Sequence, residues 1–291
     1  MKQLLYLFLC TLVLAQCSGP VALFELSSSE YEAPAVLEIV NHSKNAESYQ
    51  WYIDDQPVSE VMHLKHTILE SGNYHLQLKA IKGNKSSKKI QKISIRAPKH
   101  CSVYMLTSKG EMVFELNENT PIHLQNFIDL VDQGYYNGIM FHRVIDGFVI
   151  QAGDDMARSS KAKNFKTDAE IPHEINTKDI HVRGALAAAR MPDNVNPERA
   201  SSGTQFYVVD GRDLELDDLK RFEASKLVNY SREQIETYLE KGGAPQLDEQ
   251  YTVFGYLVYG KEVLDSISKV ETDDKDKPVD PVEIIEMKII N

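Results

Sequence analysis

Phe141-His142-Arg143-Val144-Ile145-Asp146-Gly147-Phe148-Val149-Ile150-Gln151-Ala152-Gly153-Asp154 is the stretch on which the reading of this chain turns. Its two apolar runs have strand length, yet Arg143 and Gln151 alternate with the apolar positions in a way that a purely structural strand does not require. Taken alone, Arg143 would read as one half of a surface ion pair.

Upstream, residues 134–138 are a run of turn formers. Before them Thr120 caps a helix with Pro121 at its first position, and Leu124, Phe127, Ile128 and Val131 recur at helical spacing until Gly134 stops it. This helix is expected to cover one opening of a β structure. Residues 103–107 and 111–116 read as strands of a hairpin joined by Ser108-Lys109-Gly110.

Downstream come Arg183-Gly184-Ala185-Leu186-Ala187-Ala188-Ala189-Arg190, then Ser202-Gly203-Thr204-Gln205-Phe206-Tyr207-Val208-Val209, then Tyr251-Thr252-Val253-Phe254-Gly255 followed by an apolar segment at 263–267. Together with 141–154 these blocks resemble, in order, the cyclophilin family of peptidyl-prolyl cis–trans isomerases over about residues 102–290. The resemblance implies a closed eight-stranded antiparallel β-barrel capped by two helices, with a groove on its outer face for proline-containing polypeptides.

The reaction explains why such a groove needs Arg143. Rotation about an Xaa-Pro bond faces a resonance barrier of about 20 kcal/mol, and no covalent intermediate is required to lower it. The twisted transition state localises a lone pair on the prolyl nitrogen. A fixed, permanently charged donor aimed at that nitrogen stabilises the twisted state more than either planar one. Arg143 is that candidate, and Gln151 would orient it or bind the substrate carbonyl. The resemblance further implies a dry proline pocket of Phe148, Val149, Tyr207 and Leu247, with Gln205 at the groove floor and Tyr251 flanking the ring. It implies main-chain pairing of the substrate with Ala189 and Arg190, the Arg190 side chain being free to meet acidic substrates. Gln246 and Val149 replace the family's usual tryptophan and methionine, so weak cyclosporin sensitivity with isomerase activity retained is expected. A non-catalytic Xaa-Pro-binding chaperone, or an adhesion module on the same scaffold, is the alternative.

Residues 212–245 are longer than the corresponding loop of a minimal cyclophilin. Residues 214–228 and 232–241 have helical character, and Ser231 with Gln234 forms a capping-box pattern. This insertion reads as a peripheral helical hairpin, or as an element that extends or gates the groove. The stretch 271–281 is acidic and contains proline, a surface loop before a final strand at 282–290.

Composition sets the outer limits. With 43 acidic and 32 basic residues the net charge is −11, which argues against a nucleic-acid partner. No Gly-rich phosphate loop, Ser-His-Asp spacing or metal-binding helix is present, so neither cofactor nor metal is expected. Residues 18–99 carry 10 Lys/Arg and 9 Asp/Glu, whereas 100–291 carry 21 and 34, a shift that suggests two differently composed units. In the first, period-two strands at 36–40, 74–80 and 90–95 alternate with turns at Asp54-Asp55, Ser71-Gly72-Asn73 and Lys82-Gly83-Asn84, with Trp51 as a core anchor. Ala33-Pro34, Asn41-His42-Ser43, Ser48-Tyr49-Gln50-Trp51 and Ser71-Gly72-Asn73-Tyr74 resemble a PKD-type, immunoglobulin-like β-sandwich. Five lysines between Lys82 and Lys92 read as a solvated hairpin that discourages edge pairing, with contact to an anionic envelope polymer or lipid as the other reading.

The chain opens on Lys2 and an apolar run at 4–15, too short to span a bilayer but fitting a secretory leader. Leu14-Ala15-Gln16-Cys17 resembles a bacterial lipobox, with Gln16 in place of the usual small residue; simple cleavage nearby is the alternative. The expected organisation is a leader at 1–16, a PKD-like domain at 17–98 and a cyclophilin-type domain at 99–291, mainly β throughout. The expected location is the bacterial cell envelope, with the exported chain held to the membrane by a lipid at Cys17.

Overall fold

The structure, a computed structural model, describes residues 19–158, 170–226 and 228–290. The leader and Cys17 lie outside the described residues. The chain divides into two compact units, 1–96 and 97–291.

In the first unit the strands are β1 (Glu30–Glu32), β2 (Ala35–Ile39), β3 (Ser48–Ile53), β4 (Gln56–Ser59), β5 (Leu64–Ile68), β6 (Gly72–Lys82) and β7 (Lys85–Arg96). They form a five-stranded sheet, β1-β7-β6-β3-β4, and a two-stranded one, β2-β5. Period-two alternation buries Leu76, Leu78 and Ala80 on one face of β6, while Tyr74 is only half-buried. Leu78 lies across from Trp51 in the ladder. The Trp51 ring is fully buried, edge-on to Phe24 at 5.3 Å, and its indole N–H donates to the Val61 carbonyl at 3.1 Å. Both turn residues between β3 and β4, Asp54 and Asp55, have positive φ (45° and 65°), the mirror-image turn that matches strand twist. Of the lysine run, Lys89 turns inward, donating to the Phe24 carbonyl at 2.7 Å.

The second unit contains β8 (Ser102–Thr107), β9 (Gly110–Leu116), α1 (Pro121–Asp132), β10 (Arg143–Ile145), β11 (Val149–Ala152), β12 (Glu170–Ile171), β13 (Ala185–Ala188), β14 (Ser201–Ser202), β15 (Phe206–Val209), α2 (Leu216–Lys226), α3 (Arg232–Lys241), β16 (Val253–Tyr259), α4 (Lys261–Ser268) and β17 (Ile284–Ile290). Eight of these strands form one sheet in the order β10-β11-β15-β13-β16-β9-β8-β17. Its central strands are buried on both faces, which is why they read as unbroken apolar runs. Leu186, Ala188, Phe206 and Val208 face an inner core that α1 closes with Phe127 and Val131 and α4 closes with Leu264 and Ile267. Ala185, Ala187, Tyr207 and Val209 face a second, outer cluster.

The expected closed barrel is corrected by the strand order: β10 and β17 stand at opposite ends of the sheet, and no ladder joins them. The sheet is a curled, open one. Its ends are tied by the residues leading into the two strands and by Ile284 at the start of β17, with a bridge between Met140 and Glu283 and main-chain bonds Gly138 N–H to Ile284 O (2.7 Å), Ile284 N–H to Ile139 O (2.8 Å) and Phe141 N–H to Val282 O (2.9 Å).

The cap of α1 also differs from the sequence reading. The Thr120 hydroxyl donates to the Asn117 carbonyl and leaves the helix uncapped. Glu174 supplies the acceptors instead: its carboxylate receives the N–H groups of Ile122 (3.0 Å) and His123 (2.9 Å) and lies 2.7 Å from His123 Nδ1. His123 Nε2 in turn lies 2.9 Å from the buried Ser201 hydroxyl. A carboxylate here meets both the open N–H groups and the positive end of the helix dipole. Glu174→Ala leaves those amides and a buried imidazole without their acceptor. It is expected to cost about 2–3 kcal/mol in urea unfolding, with the slope of the transition unchanged. At its other end α1 stops at Gly134 as expected, with φ 70° and the Tyr135 N–H returning to the Leu130 carbonyl at 2.9 Å.

Candidate active site

Strand pairing builds the site. Arg143 on β10 is the register partner of Gln151 on β11, Gln151 pairs with Tyr207 on β15, and Tyr207 pairs with Ala187 on β13. Directly paired residues project from the same face, so the guanidinium, the amide and the phenol stand side by side on the outer face of the sheet. Val149, Ala189, Tyr207 and Leu247 join one buried apolar cluster there, with Phe148 and Tyr251 packed against it half-exposed. Sheet alternation supplies Val149 and Tyr207, and the hairpin turn between β10 and β11 supplies Phe148, whose N–H returns to the Ile145 carbonyl at 3.0 Å. A short 3₁₀ turn, Pro245–Leu247, brings Leu247 in from the end of the insertion.

The polar groups are distributed around this apolar floor. Gln151 Nε2 donates to Gln205 Oε1 at 3.1 Å. Gly153 lets the end of β11 run against the Thr204-Gln205 main chain, closely enough for that bond to form: with φ 93° it would place a Cβ 2.2 Å from the Thr204 carbonyl oxygen. The Arg143 Nε donates to Asp276 Oδ2 at 3.3 Å, an ion pair in which both side chains are about two-fifths exposed, 42% and 44%. Its two terminal nitrogens remain for a substrate. Asp276 belongs to the acidic 271–281 stretch, which docks on β10 through the Val144 N–H to the Asp276 carbonyl at 2.7 Å.

Two expectations change on the structure. The main-chain groups of Ala189 already have partners within the fold, its N–H donating to the Gln205 carbonyl (2.9 Å) and its carbonyl accepting from the Ser202 N–H (2.8 Å), so no free donor is left there for a peptide, while the carbonyl keeps a second lone pair. Arg190's own main-chain N–H and carbonyl have no partner among the described residues. The Arg190 guanidinium is folded over the Tyr251 ring at 4.8 Å and bonded to the carbonyls of Gln250 (2.8 Å) and Met191 (2.9 Å) and to Asp193, rather than reaching outward for acidic substrates. The cation thus helps to hold the Tyr251 ring in place.

Sequence reasoning missed Asp276 and a buried network behind the pocket. The Tyr207 hydroxyl lies 3.1 Å from His181 Nε2, and His181 Nδ1 lies 2.8 Å from Asp248 Oδ1. Burial holds the Tyr207 phenol well above its usual range, with the nearby Tyr251 and Asp248 adding to the effect. It therefore stays protonated and available as a donor. None of these residues shares a periodic pattern, so only the fold brings them together. A hollow of about 870 Å³ opens beside α3, lined by Tyr230, Gln234, Tyr256 and Leu257 among others. It contains none of the candidate residues. Among the described residues no cluster of metal-ligating side chains occurs.

Residues 102–289 match the family described as cyclophilin type peptidyl-prolyl cis-trans isomerase/CLD. A protein of Staphylococcus saprophyticus named "Putative peptidyl-prolyl cis-trans isomerase" is 32% identical over 190 residues, covering 62% of this chain and 90% of that one. Its namesake in Staphylococcus aureus is 33% identical over 183 residues, covering 62% and 88%. Among solved structures, a Cryptosporidium parvum cyclophilin type peptidyl-prolyl cis-trans isomerase overlays with a TM-score of 0.48 at 24% identity, covering 65% of this chain and 97% of that one. The same protein was also crystallised in the presence of the dipeptide Ala-Pro. By the span of the family match, and by relatives matched over most of their length, the chain belongs to the cyclophilin family and is a peptidyl-prolyl cis–trans isomerase.

Proposed function

We propose that this isomerase turns Xaa-Pro bonds of exported polypeptides on the outer face of its curled sheet. Arg143 is the electrostatic catalyst, Gln151 and Gln205 fix the substrate carbonyl, and the cluster of Phe148, Val149, Tyr207, Leu247 and Tyr251 receives the proline ring. The observation that carries the reading is the register row that sets Arg143 and Gln151 beside Tyr207 at the edge of an apolar floor. The unpaired main chain of Arg190 takes the flanking residue of the peptide as a short added strand. A protease-coupled isomerisation assay on an Ala-Pro peptide, comparing wild type with Arg143→Ala, tests the assignment. A variant that kept wild-type rates would reject it.

The same reading places the enzyme on the envelope side of a membrane, held by a lipid at Cys17, with the first unit as an immunoglobulin-like spacer. What supports it is the apolar leader ending in Leu14-Ala15-Gln16-Cys17. Slow prolyl isomerisation, tens of seconds when uncatalysed, is the step such an enzyme relieves for newly exported chains. Cys17→Ser is expected to abolish incorporation of labelled palmitate and to move the chain from the membrane fraction to the soluble one. Continued labelling of the variant would remove the anchor from this account.

A further inference from the structure

The insertion and the proline pocket meet at one buried carboxylate. Asp248 follows Leu247 in sequence, is 5% exposed, and is met by four donors. The His181 main-chain N–H (2.8 Å) and Nδ1 (2.8 Å) face Oδ1, while the hydroxyls of Tyr230 (2.7 Å) and Tyr238 (2.5 Å) face Oδ2. Tyr238 lies on α3 and Tyr230 on the segment before it, so both come from the insertion. The carboxylate oxygens accept from these groups, so Nδ1 is the imidazole's donor toward Asp248, and Nε2 meets the Tyr207 hydroxyl at 3.1 Å. The Tyr207 ring lies nearly parallel to His181, centroids 6.1 Å apart, and Tyr251 meets it edge-on at 5.7 Å.

From this unbroken chain of contacts the geometry points to a positioning role for the insertion: Tyr230 and Tyr238, through Asp248 and His181, hold Tyr207 and Tyr251 in the orientation that shapes the proline pocket. The inference rests on the assignment of those two rings to the pocket. A phenol packed only by apolar neighbours can tilt about its side-chain torsions. One whose hydroxyl is fixed at the far end by a buried network cannot, so the pocket is preformed before the substrate arrives. Such a wall grips the ring in the planar and twisted states alike. Its loss therefore falls on binding and not on the step that Arg143 accelerates.

The test is steady-state isomerisation of an Ala-Pro peptide by the full chain. Replacing both insertion tyrosines, Tyr230→Phe with Tyr238→Phe, is expected to raise KM on the order of tenfold while kcat stays within about twofold. A second leg uses Tyr207→Phe, which removes the last link and keeps the ring. In that background the insertion substitutions are expected to have no further effect on KM, as coupled sites require. An unchanged KM overturns the inference, as does a KM effect of the same size in the Tyr207→Phe background. A fall in kcat at constant KM, the mark of a smaller folded fraction, overturns it too. If the paired variant does not fold, Tyr230→Phe alone, at a half-buried ring, is carried through the same cycle with a smaller rise expected. Arg143→Ala in the same assay separates the two levels. If it is inactive, the tyrosine variants alone decide the positioning role; if it keeps wild-type kcat, the groove assignment fails and the positioning role fails with it.

Discussion

Arg143→Ala is expected to lower kcat/KM on an Ala-Pro peptide by about 10²–10³-fold, with kcat falling in step. The magnitude follows from what the side chain is asked to do. Planar cis and trans amides spread the nitrogen lone pair into the carbonyl; the twisted state returns it to nitrogen, and only then does a donor at that atom gain a strong acceptor. An interaction made in the twisted state alone lowers the barrier without tightening ground-state binding, so its removal leaves KM nearly unchanged. Arg143→Lys is expected to recover little, because a compact ammonium lacks the rigid fork that lets Nε remain on Asp276 while the terminal nitrogens reach the substrate. The Arg143–Asp276 pair does not oppose this. Both side chains are about two-fifths exposed, 42% and 44%, and a solvent-screened pair of this kind is worth about 1 kcal/mol or less.

Gly153→Ala is the second large effect, and it acts through the backbone. A Cβ at this residue would stand 2.2 Å from the Thr204 carbonyl oxygen, 2.8 Å from Gln205 Cα and 2.9 Å from the Thr204 carbonyl carbon, on top of the strain of φ 93°. All three obstacles are main chain, and none can swing aside as a side-chain tip would. Relief requires β11 and the Thr204-Gln205 segment to part, which moves Gln205 away from Gln151 and loosens the site together with the fold. A loss of at least about 3 kcal/mol is expected in chemical denaturation, a large share of the stability of an ordinary domain. Gly147→Ala provides the control. It has a similar positive φ of 71°, but the nearest obstacle is 3.9 Å away, so about 1 kcal/mol is expected. Equal losses at the two positions would mean that close approach at Gly153 contributes nothing.

How much of this was legible in the residues depends on the range over which each feature acts. Local signals carried well: the Ser231-Gln234 capping box forms with both of its bonds, the α3 limits coincide with the helical pattern, and Trp51 is a buried anchor. The cap of α1 did not carry, because Glu174 lies 51 residues from His123 and no spacing rule connects them. Alternation marked Arg143 and Gln151 as polar positions among apolar ones, but the β10–β11 register sets them side by side, and Asp276 reached Arg143 across 133 residues from a stretch that reads only as polar loop. The use of Ala189's main-chain groups was likewise invisible, since hydrogen bonding of an irregular segment depends on which strands flank it. His181, Asp248, Tyr230 and Tyr238 carry no pattern of their own and acquire a purpose only where the insertion folds back on the sheet.

The pairing of β8 with β17 governs when the isomerase unit can exist at all. Ser102 and Ile290 are direct partners, so the first strand of the unit waits for nearly the whole of it to be synthesised. Loop closure over that span is slow, and until it happens β8 presents one unpaired edge. The strand pairs of β1 to β7 all close between residues 30 and 96, so none of them waits for any part of the second unit. A message cut short before β17 would therefore yield a folded leading unit trailing an enzyme that cannot form, with a sticky strand edge that marks it for proteolysis.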